Sequence, residues 1–171
     1  KTLPAFAGQW GWQHHSTDWK AVCRDPEVDL VDIGTPNYLH LPMARAVLLA
    51  GKHVACEKPL AGTLKDARAM LALARRAPGR TFVWYNYRRC PAVAFAHQLV
   101  RQGKLGRIRH VRACYLQSWG DASVPLAWRF DRKLAGSGAH GDLNAHIVDM
   151  TRFVAGEEIT EICGAIAETF I

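Results

Sequence analysis

The sequence predicts an α/β fold, with a parallel sheet covered by helices in the first half and an α+β portion after it. Three largely apolar runs, at residues 28–35, 53–57 and 81–87, have the length and composition of buried strands, and the first of them is rich in β-branched residues. Helical stretches separate these runs, so the order is strand, helix, strand, helix, strand. Such alternation is typical of a parallel sheet with helices packed against it.

Helix signals lie before and between these strands. Thr17 or Asp18 can cap a short helix that ends at Pro26, and the next helix is expected to end at Gly51. Thr63 is placed to cap a third helix. The apolar face of that helix consists of Leu64, Ala67, Met70, Leu71 and Ala74.

The second half of the chain has a different pattern. Residues 91–106 predict a helix, and the rough alternation of residues 107–119 predicts a strand with one exposed face. Residues 140–156 predict a strong helix, and residues 158–171 predict a closing strand. We therefore expect a boundary between two portions near residues 88–91.

The overall composition excludes several classes of protein. The chain is 49% hydrophobic and 22% charged, which is typical of a soluble globular protein and not of a disordered one. No apolar run reaches the roughly 18 residues that a membrane-spanning helix needs. The net charge is +7, but the basic residues are scattered without a repeated basic–aromatic pattern, so we expect no nucleic-acid partner. Five well-separated cysteines form no CxxC motif and favour a reducing, cytoplasmic setting.

Polar residues follow each of the three predicted strands. They are Thr35, Pro36 and Asn37 after the first strand, Glu57, Lys58 and Pro59 after the second, and Asn86, Tyr87 and Arg88 after the third. Ligands bind at the carboxyl ends of the strands in open parallel sheets. The sequence therefore predicts a binding site at this edge.

Lys58 is the first candidate for chemistry. A lysine at the mouth of a cleft can donate to a hydroxyl or exchange a proton with it. The alternative is a strand-end lysine that forms an ion pair with Glu57 or another acid. Pro59 favours the functional interpretation, because it restricts the backbone directly after the lysine.

The helix that begins near residue 140 is the second candidate. Asp142, His146 and Asp149 lie four and three residues apart, which puts them on one helical face. An imidazole can take a proton from an alcohol at neutral pH, and a neighbouring carboxylate can orient the imidazole or hold the substrate. Three alternatives remain: a surface ion pair, a metal site with His140, or a capping role for Asp142.

Two further positions suggest a bound cofactor. Asn37 falls in a strand-to-helix turn, although turn formation alone would explain it. Trp128 and Arg129 could stack on a flat ring or bind a phosphate, or could simply anchor a packed loop. No GxGxxG motif is present, and the glycine-rich residues 136–141 follow a loop instead of a strand.

Four segments together resemble the glucose–fructose oxidoreductase and inositol dehydrogenase (Gfo/Idh/MocA) family of nicotinamide-dependent oxidoreductases. In chain order they are DPEVDLVDIGTPNYLH, AGKHVACEKPLAGT, YNYRRCPAV and GSGAHGDLNAHIVDMTRFVAGE. They occur in the family's order and span nearly the whole chain. The specific part is EKP followed by D-x-x-x-H-x-x-D.

The resemblance implies that the chain is an internal piece of a longer enzyme. Residues 1–88 would be the C-terminal part of an NAD(P)-binding Rossmann sheet, without its first strands, its phosphate loop and the acidic residue that binds the ribose. Residues 89–171 would begin an α+β domain for substrate binding and oligomerisation. The choice between NAD and NADP stays open, and we expect the full-length protein to form a homo-oligomer.

The resemblance also implies roles for individual residues. Lys58 would bind the reacting hydroxyl and assist proton transfer, His146 would accept the proton, and Asp142 would hold both the substrate and the histidine. The cofactor-binding residues predicted from the strand ends and from the resemblance are Thr35, Pro36, Asn37, His40, Glu57, Lys58, Asn86, Trp128 and Arg129. No metal ligand is predicted. Departures from the family pattern, Asn144 and His140, are expected to touch the substrate pocket.

The predicted function is the NAD(P)-dependent oxidation of a hydroxyl on a sugar, polyol or glycoside to a ketone. In the implied mechanism, His146 removes the hydroxyl proton while the carbon gives up hydride, and Lys58 steadies the alkoxide. Two alternatives of the same fold remain: a redox-neutral glycoside hydrolase that keeps its nicotinamide, and a non-catalytic nucleotide sensor. The 171-residue piece by itself is expected to be inactive.

Overall fold

The computed structural model of the chain describes residues 2–120, 123–166 and 168. Its strands are β1 (Leu30–Ile33), β2 (His53–Cys56) and β3 (Thr81–Val83). Its α-helices are α1 (Leu3–Trp10), α2 (Trp19–Arg24), α3 (His40–Leu49), α4 (Leu64–Ala74), α5 (Pro91–Arg101), α6 (Arg132–Ala135) and α7 (Ala145–Ala155). Short 3₁₀ turns lie at Asn37–Leu39, Asn86–Arg89 and Trp128–Phe130, and a π-helical turn at His140–Asn144 leads into α7.

The three strands form one parallel sheet in the order β1-β2-β3. Leu30 lies opposite His53 and Ile33 opposite Cys56, while Cys56 also lies opposite Val83 on the other side. The predicted alternation of strands and helices is thus confirmed, and all three strands end at the same edge. The residues that follow them are therefore close together in space.

The hydrophobic core lies between the sheet and the helices that connect its strands. Its most buried side chains, including Ile33, Val47 and Cys56, come from β1, α3 and β2. Burying a side chain of this size stabilises the fold by about 1.5–3 kcal/mol. The core holds β2 in the middle of the sheet, so the turn after it has a fixed starting point.

The local signals for helix ends agree with the structure in the first half. The Asp18 side chain accepts hydrogen bonds from the backbone N–H groups of Lys20 and Ala21, which caps α2. The Thr63 hydroxyl accepts from the N–H of Asp66 at the start of α4. Gly51 has the positive φ expected after α3, at 76°.

Two predicted strands of the second half were wrong for the residues described. Residues 107–119 form no ladder in the structure, although their sequence alternates roughly. The described part of the second predicted strand, 158–166 and 168, is also without ladder pairing, and residues 167 and 169–171 lie outside the description. Alternation suits a segment to a sheet, but a strand exists only where a partner supplies the hydrogen bonds.

The helix α1 is a feature that the sequence analysis did not predict. It has a proline in its first turn and ends at Gly11, whose φ of 70° is left-handed. Within the part of the chain that the structure describes, no helix has the length and apolarity to cross a membrane.

Candidate active site

Strand β2 places Lys58 at the carboxyl edge of the sheet. The N–H of Glu57 donates to the Ile33 carbonyl at 2.9 Å, and the N–H of Trp84 donates to the Cys56 carbonyl at 2.9 Å, so the strand is held from both sides up to its last residue. The backbone N–H of Lys58 then donates to Glu57 Oε2 at 3.0 Å, and the Lys58–Pro59 peptide bond is cis.

The side chain of Lys58 bridges to the helical segment that precedes α7. Its Nζ lies 2.5 Å from Oδ1 of Asp142 and 3.0 Å from the Asp142 backbone carbonyl. The lysine side chain is 15% exposed and the aspartate side chain 34%. The ammonium group is thus fixed at two points, while part of the pair stays open to a ligand.

Asp142 and His146 both come from the helical segment around residues 140–155. Asp142 lies in the π-helical turn, a local geometry that recurs at functional sites, and His146 lies in the first turn of α7. The helix ends at Gly156, which adopts a left-handed φ of 72°. Because Asp142 and His146 are four residues apart, their side chains lie on the same side of this helical segment, as the sequence predicts.

His146 is almost buried, with 6% of its surface exposed, and is surrounded by aromatic rings. The ring of Tyr87 lies 4.5 Å from it between centroids, and those of Tyr85 and Tyr115 lie at 6.2 and 6.0 Å. Burial lowers the pKa of His146 below its ordinary value, and the nearby Lys58 cation lowers it further. The imidazole is therefore held neutral and able to accept a proton.

An open cavity of about 440 Å³ lies above these residues. Its floor is formed by Lys58, Asp142 and His146, so the structure brings the three predicted catalytic residues together. The remaining lining residues are Tyr115, Gln117, Trp119, Val124, Ala127, Arg129, Phe130 and Leu143. The volume lies in the range of small-molecule binding pockets.

Asp149, the third member of the predicted helical face, belongs to a different group of contacts. Its carboxylate accepts hydrogen bonds from Nε and Nη2 of Arg88 at 2.8 and 2.5 Å. It is buried and does not line the cavity above Lys58. The Arg88 guanidinium also lies over the Phe153 ring, 5.1 Å from its centroid, so this pair fastens the end of β3 to α7.

The turn after β1 is packed against the turn after β2. His40 is fully buried; its Nε2 lies 2.9 Å from the Thr35 carbonyl, and its Nδ1 lies 3.1 Å from the Pro59 carbonyl and 3.3 Å from that of Leu60. His40 was predicted to line the cofactor, but in this structure its side chain presents no surface to a ligand. It joins the two turns instead.

The other residues of the first turn also have partners in the protein. The Asn37 side-chain amide is buried and donates to the Ala135 carbonyl at 3.2 Å, and Thr35 Oγ1 donates to the sulfur of Met43 at 3.7 Å. Pro36 begins the 3₁₀ turn. The structure therefore gives Asn37 a role in holding α6 against the turn, beside any contact with a cofactor.

The remaining predicted cofactor residues are more accessible. Asn86 is exposed in the turn after β3, and Glu57 is half-buried beside Lys58. The guanidinium of Arg129 lies 4.6 Å from the centroid of the Trp128 ring, and Arg129 lines the cavity while Trp128 does not. The tryptophan thus supports the arginine from behind.

His140 and Asn144, which were predicted to touch the substrate pocket, do not line the cavity above Lys58. Asn144 Nδ2 lies 2.9 Å from His140 Nδ1, and both residues line a separate cavity of about 280 Å³. Because the segment is helical, residues 140 and 144 share one side and residues 142 and 146 another. Among the described residues, no group of three His, Cys, Asp or Glu side chains could hold a metal ion.

Sequence reasoning missed one wall of the first cavity. Tyr115, Gln117 and Trp119 line it, and their alternate spacing was the signal that could have identified them. Tyr87, noted only as a polar residue after β3, also lies in this region, where its hydroxyl is 2.6 Å from that of Tyr115. That hydrogen bond raises the pKa of Tyr87.

Family models match nearly the whole chain. Residues 1–85 match the model described as "Oxidoreductase family, NAD-binding Rossmann fold", and residues 93–170 match the "GFO/IDH/MocA C-terminal domain". The chain belongs to the Gfo/Idh/MocA family. The parallel sheet with its helices is accordingly part of a Rossmann-type α/β fold.

Several curated members of the Gfo/Idh/MocA family are similar to this chain. A levoglucosan dehydrogenase of Pseudarthrobacter phenanthrenivorans is 44% identical over 152 residues, which cover 88% of this chain and 39% of the relative. A 1,5-anhydro-D-fructose reductase of Ensifer adhaerens is 35% identical and covers 92% of this chain and 46% of the relative. The chain therefore spans less than half the length of these relatives.

Solved structures of the family give the same result. Levoglucosan dehydrogenase in complex with NADH and levoglucosan matches with a TM-score of 0.88 and 43% identity, covering 91% of this chain and 42% of that one. An oxidoreductase domain protein from Kribbella flavida matches with the same TM-score and 50% identity, covering 91% of this chain and 42% of its own.

Proposed function

We propose that this chain is the catalytic core of an enzyme that oxidises a hydroxyl of a sugar, polyol or glycoside to a ketone with NAD or NADP. The observation that carries the proposal is the floor of the cavity. There, the Lys58–Asp142 pair at 2.5 Å and the buried His146 face one open volume at the carboxyl edge of the sheet. A cation, an acceptor and a neutral base together suit the deprotonation of an alcohol.

The residues around this floor fit a nicotinamide dinucleotide by their donor and acceptor chemistry. The half-buried Glu57 can accept from ribose hydroxyls, the exposed Asn86 offers an amide, and Arg129 offers a guanidinium to the cavity. Gly34, directly after β1, leaves open space where other residues would place a Cβ. Thr35 and Pro36 lie in the turn directly after β1, and Trp128 lies under the Arg129 guanidinium. When bound, the dinucleotide supplies the two-electron acceptor.

The chain's own residues would handle the proton and the developing charge. A substrate hydroxyl placed in the cavity can accept a hydrogen bond from Lys58 Nζ, which the Asp142 carboxylate and carbonyl hold in place. His146, kept neutral by burial, takes the hydroxyl proton as the carbonyl forms. Lys58 stabilises the oxygen while it carries negative charge, an electrostatic contribution of the oxyanion-hole type.

The class of substrate is proposed from the relatives together with the shape of the cavity. The similar proteins include a levoglucosan dehydrogenase and an anhydrofructose reductase, both named for compact, polyhydroxylated rings. A cavity of about 440 Å³ that combines aromatic and polar walls accommodates a ring of that size.

The proposal extends to the organisation and setting of the protein. We place the division between the Rossmann portion and the α+β portion at residues 88 and 89. We also place the protein in the cytoplasm, because its five cysteines, Cys23, Cys56, Cys90, Cys114 and Cys163, are all free thiols. Burial raises the pKa of Cys56 to about 12, which makes it inert. A homo-oligomer of the whole protein belongs to the same proposal.

The experiment that tests this function uses protein from the complete reading frame. It is mixed with NAD or NADP and a panel of sugars, polyols and anhydrosugars, and the absorbance of the reduced nicotinamide is followed. We expect one substrate class to give a signal, and His146→Ala to lower kcat by roughly 10²–10⁴-fold, the usual contribution of a general base. His140→Ala, on the other side of the helix, is the matched control.

A flat trace from folded protein that binds the dinucleotide would overturn the proposed function. A product that appears without net reduction of the nicotinamide would point to the redox-neutral hydrolase. Unchanged turnover in His146→Ala would leave the oxidation in place but assign the proton to another group.

A further inference from the structure

The imidazole of His146 is held in place without a hydrogen bond to its ring. Among the hydrogen bonds of residues 2–120, 123–166 and 168, none involves a ring nitrogen of His146. The carboxylates of these same residues also form no ion pair with it. A histidine that acts as a base is usually oriented by an acceptor at its second ring nitrogen. The orientation of this imidazole is therefore set by the side chains that pack around it.

Tyr87 is the nearest of the three tyrosine rings that surround the imidazole. The centroids of the Tyr87 and His146 rings are 4.5 Å apart, and their planes are inclined at 56°. The corresponding distances for Tyr85 and Tyr115 are 6.2 and 6.0 Å. A separation of 4.5 Å puts the two rings in contact, well inside the roughly 6 Å over which an aromatic face attracts a cation. Of the three rings, Tyr87 is the best placed to orient the imidazole and to respond to its charge.

Two neighbouring contacts join the turn after β3 to α7. Tyr87 and Arg88 are adjacent in that turn. Their partners, His146 and Asp149, lie about one helical turn apart on α7. The Arg88 guanidinium binds the Asp149 carboxylate through two hydrogen bonds, which fix the distance between turn and helix. Because Tyr87 directly precedes Arg88, the same ion pair holds the Tyr87 ring against His146.

The hydroxyl group of Tyr87 holds the ring at its other end. It lies 2.6 Å from the hydroxyl of Tyr115, and this hydrogen bond raises the pKa of Tyr87 above its ordinary value. The ring therefore stays an uncharged phenol at neutral pH. An uncharged ring offers a neighbouring cation the negative face of its quadrupole and no full charge.

The charged groups near His146 explain why this ring contact matters. Burial opposes a charge on the imidazole, and the Lys58 cation opposes it further. Asp142, Glu57 and Asp149 favour the charged form, but Asp142 and Asp149 are each already paired with a cation. The imidazolium that forms when His146 accepts a proton is thus in direct contact with Tyr87 and with no described carboxylate.

We propose that Tyr87 is a positioning residue for His146, whose ring fixes the orientation of the imidazole and stabilises the imidazolium that forms during turnover. This inference rests on the proposed function, because it assigns the support of the proton acceptor in that reaction. The proton passes from the substrate hydroxyl to a ring nitrogen of His146, and Tyr87 itself exchanges neither atoms nor electrons.

The test changes the electron density of the ring while keeping its shape. In protein from the complete reading frame, Tyr87→Phe is the reference, and mono-, di- and trifluorinated phenylalanines then replace the same residue. Each fluorine withdraws electrons from the face of the ring and weakens its attraction for a cation. NMR of the imidazole C–H group, assigned by its absence in His146→Ala, gives the protonation midpoint of His146. The pH dependence of kcat/KM is measured with whichever sugar the wild type oxidises.

We expect the protonation midpoint and the acidic limb of kcat/KM to move stepwise to lower pH as fluorines are added. The reason is that the charged form of His146 loses stabilisation while the neutral form does not. A ring that only fills space would leave both quantities unchanged, since fluorination alters its volume little.

Removing the ring should lower turnover directly. We expect Tyr87→Leu to lower kcat by roughly threefold to thirtyfold, the range that corresponds to a partly or fully desolvated contact between a cation and a ring. KM should change little, because Tyr87 does not line the cavity above Lys58.

The matched control is the same fluorinated series at Phe95, which is 59% exposed on α5 and should change neither quantity. Dinucleotide affinity and the denaturation midpoint show whether each variant is folded. If Tyr87→Leu is not folded, the fluorinated series decides by itself, because its members differ little in shape.

Two outcomes would overturn the inference in distinguishable ways. If the wild type oxidises a sugar and the protonation midpoint of His146 stays constant through the folded fluorinated series, Tyr87 does not stabilise the imidazolium and the proposed function stands. If the wild type oxidises no carbohydrate, the proposed function fails and the role of Tyr87 in that reaction fails with it.

Discussion

Two ion pairs join the sheet edge to the same helical segment, and they differ in almost every respect. At its start, Asp142 is paired with Lys58 through one carboxylate oxygen, at the floor of an open cavity. Further along, Asp149 is paired with Arg88 through both oxygens, away from that cavity. The Asp142 side chain is 34% exposed, whereas that of Asp149 is 5% exposed.

The difference shows how one helical segment can be held firmly by one ion pair and present another ion pair to a cavity. A planar guanidinium that binds a carboxylate with two parallel hydrogen bonds fixes geometry, and Arg88 is further held over Phe153. Phe153 is itself stacked on His97, with 4.1 Å between ring centroids. A lysine ammonium is a compact point charge that can turn from one acceptor to another. The anchored part of α7 thus holds the reactive part in position.

The largest effect should come from breaking the cavity-facing pair. In Lys58→Met we expect kcat to fall by roughly 10²–10³-fold, because a preorganised group that stabilises the developing charge is lost. The affinity for dinucleotide should change little. Steady-state kinetics and a fluorescence titration measure the two quantities, and Lys65→Met, at an exposed position of α4, is the control. Turnover close to that of the wild type would remove Lys58 from the mechanism.

Breaking the buried pair should affect stability instead. In Asp149→Ala we expect the free energy of unfolding to fall by about 2 kcal/mol, since Arg88 loses the acceptor for two charge-assisted hydrogen bonds. The loss stays below that of a fully buried pair, because the Arg88 side chain is 42% exposed. Chemical denaturation measures it.

The control for this variant is Glu158→Ala, which removes the exposed partner of Arg152 and should change stability little. Equal denaturation midpoints for Asp149→Ala and Glu158→Ala would contradict the anchoring role of the Arg88–Asp149 pair.

The smallest predicted effect is on the pH dependence of kcat/KM, which should shift in opposite directions in two variants. Burial and Lys58 lower the pKa of His146, while Asp142, Glu57 and Asp149 raise it. As the base must be neutral, kcat/KM should rise with pH through a value below about 6.5, the ordinary pKa of histidine. Removing the cation in Lys58→Met should move this acidic limb to higher pH, and Asp149→Asn should move it to lower pH. If the acidic limb of the kcat/KM profile lies at the same pH in both variants as in the wild type, a group other than His146 titrates.

The same shift predicts how stability depends on pH. Because the folded-state pKa of His146 lies below its unfolded value, the unfolded chain binds the proton first as the pH falls. The contribution of this residue to the free energy of unfolding should therefore be lost progressively below about pH 6.5.

Much of the sheet could be predicted from the sequence, because its signals are local. The runs around Ile33, Cys56 and Val83 are apolar and β-branched, and Asp18 and Thr63 carry their capping function in their own side chains. Residues 107–119 alternate roughly in sequence but form no ladder. A strand depends on a partner, which periodicity alone does not reveal.

The site was predictable to the extent that it depends on spacing. The four-residue spacing of Asp142 and His146 on one helical face and the position of Lys58 after β2 together predict that these side chains meet. The partner of Asp149 could not be predicted, because Arg88 lies 61 residues away and meets it only through packing. The orientation of the Gln117 amide depends on its hydrogen bonds with Tyr115 and Trp119, which the pattern of the sequence does not specify.

The buried imidazole of His40 has a consequence for engineering this protein. Its contacts with the carbonyls of Thr35, Pro59 and Leu60 make the two turns at the sheet edge a single mechanical part. A library that randomises either turn would disturb both turns, and would therefore also change the position of the Lys58 side chain. The segment from residue 115 to residue 119 is held instead by the Tyr115–Tyr87 hydroxyl contact and the Trp119–Phe130 ring contact, so its other positions can be varied without disturbing either turn.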